Sequence, residues 1–331
     1  MSKIRPSKGA PYARILGVGG YRPVRVVPND VILETIDSSD EWIRSRSGIE
    51  SRHWASDEET VAAMSLEASG KAIANAGITA AQIGGVVVAT VSHFKQTPAV
   101  ATEIADKLGT DKAAAFDISA GCAGFGYGLT LAKGMIVDGS AEYVLVIGVE
   151  RLSDLTDLED RATAFLFGDG AGAVVVGPSD EPHIGPTVWG SEGDKSDTIK
   201  QTVPWNEYDS SGKFPAITQE GQAVFRWAVF EMAKVAKEAL DASGLSPDDL
   251  DVFIPHQANE RIIDSMVKTL KLPEHVTVAR DVRTTGNTSA ASIPLAMERL
   301  LATGEAKSGD TALVIGFGAG LVYAATVVTL P

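Results

Sequence analysis

Three residues with complementary chemistry, Cys122, His256 and Asn287, each follow a predicted strand. Cys122 is the only cysteine in the chain and lies in a glycine-flanked turn, after a predicted strand over 113–118. The helix predicted to begin at Cys122 offers unpaired backbone N–H groups and a dipole that favour a thiolate over a thiol. A lone buried cysteine is otherwise most often a small hydrophobic residue. Cys122 is therefore interpreted as a nucleophile only because partners for it exist.

Two candidate partners lie in the second half of the sequence. His256 stands at the end of a strand predicted over 251–256, and Asn287 lies in a turn before a predicted buried helix. Ligands of open α/β sheets bind beyond the carboxyl ends of strands, so the three side chains can share one crevice. A cysteine, a histidine and an asparagine together indicate acyl transfer through a thioester. The N–H of Ala319, in the glycine-rich turn 316–320, and the N–H of the cysteine are the candidate oxyanion donors.

The elements that carry these residues occur twice. Two pairs of similar segments recur at nearly one offset, and each pair occupies the same place in the order of predicted helices, turns and strands. This pattern predicts an internal duplication with two similar α/β halves, residues 1–180 and 181–331. The matched segments are 76–83 with 243–250, and 145–148 with 313–316.

Composition limits the classes of function. The 331 residues are 44% hydrophobic and 22% charged, with a formal net charge of −14. That charge argues against a general nucleic-acid or anionic-membrane binder, and an acidic partner would need a local basic patch. One cysteine excludes an intramolecular disulfide and suits a reducing cytosol. Because neither a secretory signal nor a membrane-spanning apolar stretch is evident, we expect a cytoplasmic protein.

Two charged segments have competing interpretations. The segment 40–49, predicted to be a polar loop, places Trp42 beside two arginines. It is either an anchoring tryptophan with solvated charges or a stacking face with phosphate ligands for a nucleotide-bearing thioester. The acid-rich segment 154–160 has no second cluster of ligands, so a solvated face is expected there and no metal site.

With these motifs the chain resembles the β-ketoacyl-acyl-carrier-protein synthase III family, the condensing enzymes that start fatty-acid synthesis. The resemblance covers nearly the whole chain and implies a thiolase-like fold, two pseudo-symmetric halves in an αβαβα layering. The motifs that carry it are Asp40-Glu-Trp-Ile, Arg46-Ser-Gly-Ile49, Ser119-Ala-Gly-Cys-Ala-Gly-Phe125, Phe167-Gly-Asp-Gly-Ala-Gly172, His256-Gln-Ala-Asn259, Gly286-Asn-Thr-Ser-Ala-Ala291 and Phe317-Gly-Ala-Gly320.

The resemblance implies roles for individual residues. Cys122 would be the nucleophile, and His256 with Asn287 would promote decarboxylation. The substrates would be an acyl-CoA and malonyl-acyl-carrier protein, with no metal or redox cofactor, in a homodimer. The remaining implied contacts are Trp42, Arg46 and Arg161 to coenzyme A, and Arg261 with Lys268 to the acidic carrier protein.

Two positions depart from the family pattern. Ala319 stands where many members have glycine, but alanine keeps the backbone N–H donor. Thr97 stands where members that prefer acetyl groups often carry a phenylalanine that reaches the partner subunit's acyl pocket. A threonine there predicts a roomier pocket and branched or longer acyl primers.

Three other functions compete with this interpretation. Papain-like cysteine hydrolases also have cysteine, histidine and asparagine in this chain order, but the duplicated halves and the Trp/Arg segment have no role in a protease. A condensing enzyme of the same fold in specialised, polyketide-type metabolism would use another acceptor. A non-catalytic scaffold of this fold is disfavoured because the Cys/His/Asn set is intact.

Overall fold

Fourteen strands and nine α-helices make up the part of the chain, residues 4–331, that this computed structural model describes. The strands are β1 (Tyr12–Tyr21), β2 (Arg25–Pro28), β3 (Ser51–Trp54), β4 (Ile83–Ala89), β5 (Ala114–Ile118), β6 (Tyr143–Arg151), β7 (Asp169–Ser179), β8 (Val188–Ser191), β9 (Ile199–Gln201), β10 (Ile217–Gln219), β11 (Val252–Pro255), β12 (Thr277–Val278), β13 (Thr311–Gly318) and β14 (Val322–Thr329). The helices are α1 (Asn29–Ile32), α2 (Asp40–Ser47), α3 (Val61–Ala76), α4 (Val100–Leu108), α5 (Gly124–Asp138), α6 (Gly221–Ser243), α7 (Glu260–Leu270), α8 (Val282–Thr285) and α9 (Ser292–Thr303).

Two five-stranded sheets repeat one topology. The first has the order β5-β4-β6-β7-β1 and the second the order β12-β11-β13-β14-β8. In both, the first three strands are parallel and the last two pairings are antiparallel. The internal match in the sequence predicts this repetition. The boundary between residues 180 and 181 stays a prediction.

The sheets and helices stack in five layers. Helices α5 and α9 lie between the two sheets and share one core with both, while α3 and α4 cover the outer face of the first sheet and α6 and α7 that of the second. Strands buried on both faces need apolar residues at every position. Val86 and Val88 of β4 therefore face the outer helices, and Val87 faces the central layer. The αβαβα layering of a thiolase-like fold is confirmed.

The segment predicted to be a polar loop over 40–49 is a helix, so that prediction was wrong. Ser39 caps α2 by accepting a hydrogen bond from Trp42 N, and Gly48 ends it at a φ of 80°. Few of its side chains are buried, so the apolar periodicity that reveals most helices is missing. Helical spacing of four residues brings Trp42 and Arg46 to one side of α2.

Glycines let each sheet approach the turn that precedes the central helix of the other half. A Cβ on Gly148 of β6 would overlap the carbonyl of Ala290, just before α9. A Cβ on Gly316 of β13 would lie 2.8 Å from the Cys122 carbonyl oxygen, just before α5. Gly148 and Gly316 are the two glycines that end the matched sequence segments. Each half therefore supports the turn before the central helix of the other half. We call these two contacts the brace between the halves.

Among the described residues, no helix is both long and apolar enough to cross a membrane.

Candidate active site

Cys122 lies in a single 3₁₀ turn (Gly121–Ala123) between β5 and α5. The expected helix start is displaced by two residues, because α5 itself begins at Gly124. Gly121 has a φ of +46°, which a residue with a side chain rarely adopts. A Cβ on Gly318 of β13 would lie 2.8 Å from the Cys122 sulfur. Two glycines therefore fix the thiol against the end of β13.

The thiol of Cys122 is not the stabilised thiolate that the sequence predicted. Burial raises the pKa of the Cys122 thiol to about 12, and the nearby carboxyl group of Glu150 adds to the increase. A hydrogen bond from the Ser289 side chain opposes that increase without overcoming it. Desolvation is the largest influence on this pKa, and the thiol lies one residue before the N-cap of α5. The resting group is the neutral thiol.

Asn287 lies in the turn before α9, the counterpart of the cysteine turn. Its backbone is fixed on both sides, since Asn287 N donates to Leu166 O at 2.8 Å and Gly168 N donates to Asn287 O at 3.0 Å. The side-chain oxygen accepts a hydrogen bond from Ser289 N at 2.8 Å. That contact occupies the Oδ1 acceptor, so the Nδ2 amide group is the one left to donate.

His256 follows β11 and is 2% exposed. Its backbone N donates to Ile315 O of β13 at 2.7 Å, and its Nδ1 lies 2.8 Å from Ser292 Oγ. Ser292 Oγ also accepts the N–H of Gln257 at 3.3 Å, and if its own hydroxyl donates to Nδ1, the imidazole proton is on Nε2. Burial lowers the pKa of His256 to about 3, so the ring is neutral.

One cavity of about 180 Å³ brings the cysteine and asparagine turns together with the last glycine-rich turn. Cys122, Asn287 and Ala319 all line it, whereas His256 does not. A Cβ on Gly121 would lie 3.4 Å from Ala319 N, so the two backbone turns that were expected to supply oxyanion donors are adjacent. The apolar part of the wall consists of Val91, Leu152, Leu155, Phe167, Ile199 and Ile217.

A larger outer cavity of about 650 Å³ opens beside the first. Gln219 lines both cavities, so they meet at that side chain. Trp42 and Arg46 line the outer cavity, and the guanidinium carbons of Arg46 and Arg161 lie 5.9 Å and 5.1 Å from the centre of the Trp42 ring. Arg261 also lines it, 4.9 Å from the ring of Phe225. An aromatic ring with two guanidinium groups within 6 Å suits stacking and phosphate contact.

Four of the predicted residues line neither cavity, namely His256, Arg161, Thr97 and Lys268. Thr97 is exposed, just before α4, and lines neither cavity. Lys268 is exposed near the end of α7 and also lines neither. Within residues 4–331 no group of three or more histidine, cysteine, aspartate or glutamate side chains is arranged to hold a metal ion.

Sequence reasoning missed two residues next to the thiol. Ser289 lines the cavity, and Glu150 at the end of β6 is fully buried. A signal for Glu150 was present, because a single carboxylate at the end of the apolar run 143–149 is unusual. Ser289 had no comparable signal, since serine is common in turns.

The duplicated five-layer fold, with a cysteine and an asparagine in the paired turns before its central helices, defines a thiolase-like condensing enzyme. Two family models match: 3-oxoacyl-[acyl-carrier-protein] synthase III over residues 116–193, and the C-terminal region of the same enzyme over residues 240–330. The chain belongs to this family, also called the β-ketoacyl-acyl-carrier-protein synthases III. It is accordingly an acyltransferase, and membership carries the cofactor-independent chemistry of these condensing enzymes.

Similar proteins cover the chain from end to end. The β-ketoacyl-[acyl-carrier-protein] synthase III of Streptomyces glaucescens is 89% identical over 100% of both chains. The mycobacterial enzyme of Mycobacterium marinum is 54% identical over 100% of this chain and 99% of its own. Among solved structures, the priming β-ketosynthase of the R1128 polyketide pathway has a TM-score of 0.97 and 47% identity over 100% of this chain and 99% of its own. The Aquifex aeolicus synthase III has a TM-score of 0.87 and 37% identity over 96% of this chain and 99% of its own.

Proposed function

We propose that this chain starts fatty-acid synthesis by a decarboxylative Claisen condensation between a short acyl-CoA primer and malonyl-acyl-carrier protein. The observation that carries the proposal is the shared cavity of Cys122, Asn287 and Ala319, which meets the Trp42/Arg46 cavity at Gln219. A thioester with a long nucleotide-bearing arm fits that arrangement. Its acyl carbon would reach the thiol while its phosphates stay near the arginines.

The first half-reaction is acylation of Cys122. The sulfur attacks the thioester carbonyl, and the N–H groups of Cys122 and Ala319 hold the oxyanion that develops. Coenzyme A leaves as a thiol, and the acyl group stays on the cysteine. Two backbone donors from braced turns need no reorganisation during this step.

The second half-reaction is condensation. Malonyl-acyl-carrier protein brings its thioester carbonyl to His256 Nε2 and Asn287 Nδ2, which donate hydrogen bonds to it. These two donors stabilise the enolate that forms as carbon dioxide leaves. The enolate carbon then attacks the acyl-cysteine, and the sulfur of Cys122 is the leaving group.

Acylation of the single cysteine provides the decisive test. Wild-type enzyme incubated with isobutyryl-CoA should gain one acyl group by intact mass, and Cys122→Ala should gain none. Malonyl-acyl-carrier protein should then remove the adduct as a β-ketoacyl product. Rapid hydrolysis to free isobutyrate, without an isolable adduct or condensation product, would instead identify a cysteine hydrolase.

A second candidate acceptor is favoured by one observation. The R1128 priming β-ketosynthase, with 47% identity, acts in a polyketide pathway. A condensing enzyme of this fold can therefore prime specialised metabolism. Comparing kcat/KM for malonyl-carrier proteins from fatty-acid and polyketide systems would separate the two roles. We expect the enzyme to prefer the fatty-acid carrier protein.

We also infer a homodimer in which Thr97 faces the acyl cavity of the partner subunit. In support, Thr97 is exposed and lines neither cavity of its own chain. Analytical ultracentrifugation tests the assembly state, and Thr97→Phe tests the contact. The variant should keep acetyl-CoA as a primer and lose isobutyryl-CoA, since the larger side chain would shorten the acyl site. Equal use of both primers by the variant would contradict this placement.

A further inference from the structure

Glu150 is a fully buried carboxyl group with one unused oxygen. Its Oε2 accepts hydrogen bonds from Ser92 Oγ at 2.6 Å, Val91 N at 3.1 Å and Thr90 Oγ1 at 3.3 Å. Its Oε1 is also buried, yet it accepts no hydrogen bond of standard geometry from the described residues. Buried polar atoms are rarely left unpaired without a reason, so the free oxygen indicates a task that the proposed condensation does not use.

The Ser289 side chain connects this carboxyl group to the nucleophile. Its hydrogen-bonding interactions oppose the increase in the pKa of the Cys122 thiol and in that of Glu150, so its hydroxyl group lies close to both. Ser289 lines the cavity with Cys122, and so does Val91, whose N–H binds Glu150. The Cys122 thiol and the Ser289 hydroxyl group thus line the cavity, and the Glu150 carboxyl group is buried beyond them.

The turn that holds Ser289 is fixed on two sides. Ser289 has a φ of +47°, an uncommon conformation for a residue with a side chain, and its N–H donates to Asn287 Oδ1 at 2.8 Å. The close approach of Gly148 to Ala290 holds the same turn against β6, two residues before Glu150. Contacts between the two halves therefore fix the position of the Ser289 hydroxyl group relative to the Glu150 carboxyl group.

We propose that Glu150 takes up the proton of the Cys122 thiol, through the Ser289 hydroxyl, while the sulfur attacks the acyl-CoA thioester. This assignment rests on the proposed function of Cys122. The S–H bond breaks as the sulfur–carbon bond forms, Ser289 Oγ receives that proton, and the Ser289 hydroxyl proton passes to Glu150 Oε1. When the tetrahedral intermediate collapses, the carbon–sulfur bond to coenzyme A breaks, and the departing thiolate takes up the proton that Glu150 returns through the Ser289 hydroxyl. The net transfer is from the Cys122 thiol to the coenzyme A thiol.

The acid–base properties of the two groups agree with this direction. Burial raises the pKa of Glu150 to about 7, while hydrogen bonds from Ser92, Val91 and others oppose the increase. The carboxylate is therefore an available base above neutral pH, where a thiol with a pKa of about 12 holds its proton. The neighbouring charged side chains have other partners. Asp169 accepts hydrogen bonds from Ser153 and Ala55. Arg151 forms ion pairs with Asp154 and Asp57.

The test is the pH profile of single-turnover acylation by isobutyryl-CoA, followed by intact mass. Wild-type rates should rise with pH and level off above a midpoint near 7, the pKa of Glu150. Glu150→Gln and Ser289→Ala should both lose that rise and acylate about 100-fold more slowly at pH 8, a typical loss for a missing general base. Glu67→Gln, the same change at an exposed site, should retain the wild-type profile. A Glu150→Gln enzyme with the wild-type rate and midpoint would overturn the proposal.

Alkylation by iodoacetamide separates this proposal from the proposed function. Cys122 is the only cysteine, so the mass increase reports its thiol alone. If wild-type enzyme is not acylated but its alkylation has a midpoint near 7 that Glu150→Gln removes, the relay stands and the proposed function fails. If acylation occurs and neither profile depends on Glu150 or Ser289, the relay fails and the proposed function stands.

Thermal unfolding shows whether each variant is folded, and its pH dependence gives a second test of the raised pKa of Glu150. The pKa of Glu150 is raised in the folded state from its ordinary 4.5 to about 7. The stability that the protonated form contributes is complete below 4.5 and is lost as pH rises through 7. The Tm advantage of Glu150→Gln over wild type should therefore grow between about pH 4.5 and about pH 7.5. If Glu150→Gln does not fold, Ser289→Ala decides the question, because it leaves the buried carboxyl group in place.

Discussion

In the proposed condensation, His256 and Asn287 act as neutral hydrogen-bond donors, and neither removes a proton. The pKa of His256 is held near 3 by burial, and Ser292 orients its ring. Asn287 has its oxygen occupied by Ser289 N. Groups of this kind stabilise an enolate, whereas acylation of the cysteine needs the backbone donors instead.

Substituting these two residues should therefore separate the half-reactions. His256→Ala and Asn287→Ala should still be acylated by isobutyryl-CoA at near wild-type rates, since neither side chain holds the first oxyanion. Each should slow condensation by about 100- to 1,000-fold, the usual loss for one oxyanion donor. Intact mass measures acylation, and release of labelled carbon dioxide measures decarboxylation. His183→Ala, which changes a histidine bonded to Thr329, is the matched control.

Either of two results would refute this division of labour. One is normal condensation by His256→Ala or Asn287→Ala. The other is a loss of acylation as large as the loss of condensation.

At the scale of elements, close approach between strands and turns decides where glycine is required. Gly318 of β13 and Gly134 of α5 both belong to elements that adjoin Cys122. A Cβ on Gly318 would lie 2.8 Å from the Cys122 sulfur and 2.9 Å from its Cβ. A Cβ on Gly134 would meet no atom within 4 Å.

Alanine should have opposite effects at these two glycines. Gly318→Ala should displace the thiol from the Ala319 N–H and slow acylation by at least about 100-fold. Gly134→Ala should leave acylation unchanged and stabilise the fold by about 0.5–1 kcal/mol, the gain of alanine over glycine inside a helix. Single-turnover acylation and thermal unfolding measure the two effects. An active Gly318→Ala enzyme would show that the turn is not fixed by β13.

The elements also show how far the sequence alone leads. Apolar runs and turns predicted the strands before Cys122 and His256, over 113–118 and 251–256, which match β5 and β11 to within one residue. Helix α2 was missed because its surface is mostly polar. The turn residues Cys122 and Asn287 were found because their chemistry is distinctive. The contact of Ser289 with Glu150 was not, because it joins residues from different halves that only the folded chain brings together.

At the scale of the whole molecule, charge is distributed unevenly. The chain has a net charge of −14, yet Arg46 and Arg261 line the mouth of the outer cavity. Arg261 has no carboxylate within 4 Å among the described residues, whereas Lys107, on α4, pairs with Glu103. A strongly acidic carrier protein would be repelled by most of this surface, and the cavity mouth is where attraction is expected.

Reversing one charge at the mouth should therefore weaken use of the carrier protein. Arg261→Glu should lower kcat/KM for malonyl-acyl-carrier protein by about 10-fold at low salt, with much less effect at about 1 M salt because screening is strong there. Lys107→Glu changes the net charge equally and should have little effect at either ionic strength. Equal losses in both variants would assign the effect to net charge and contradict local docking.

The brace between the halves also determines when, during synthesis, the surroundings of Cys122 can be completed. The cysteine turn leaves the ribosome early, but β13, which fixes the sulfur and leads into Ala319, is made almost 200 residues later. At about 5–20 residues per second, the thiol waits about 10–40 s for that strand. During this interval the nascent chain carries the proposed nucleophile without the second proposed oxyanion donor. We expect it to gain reactivity towards thioesters only after β13 has been made.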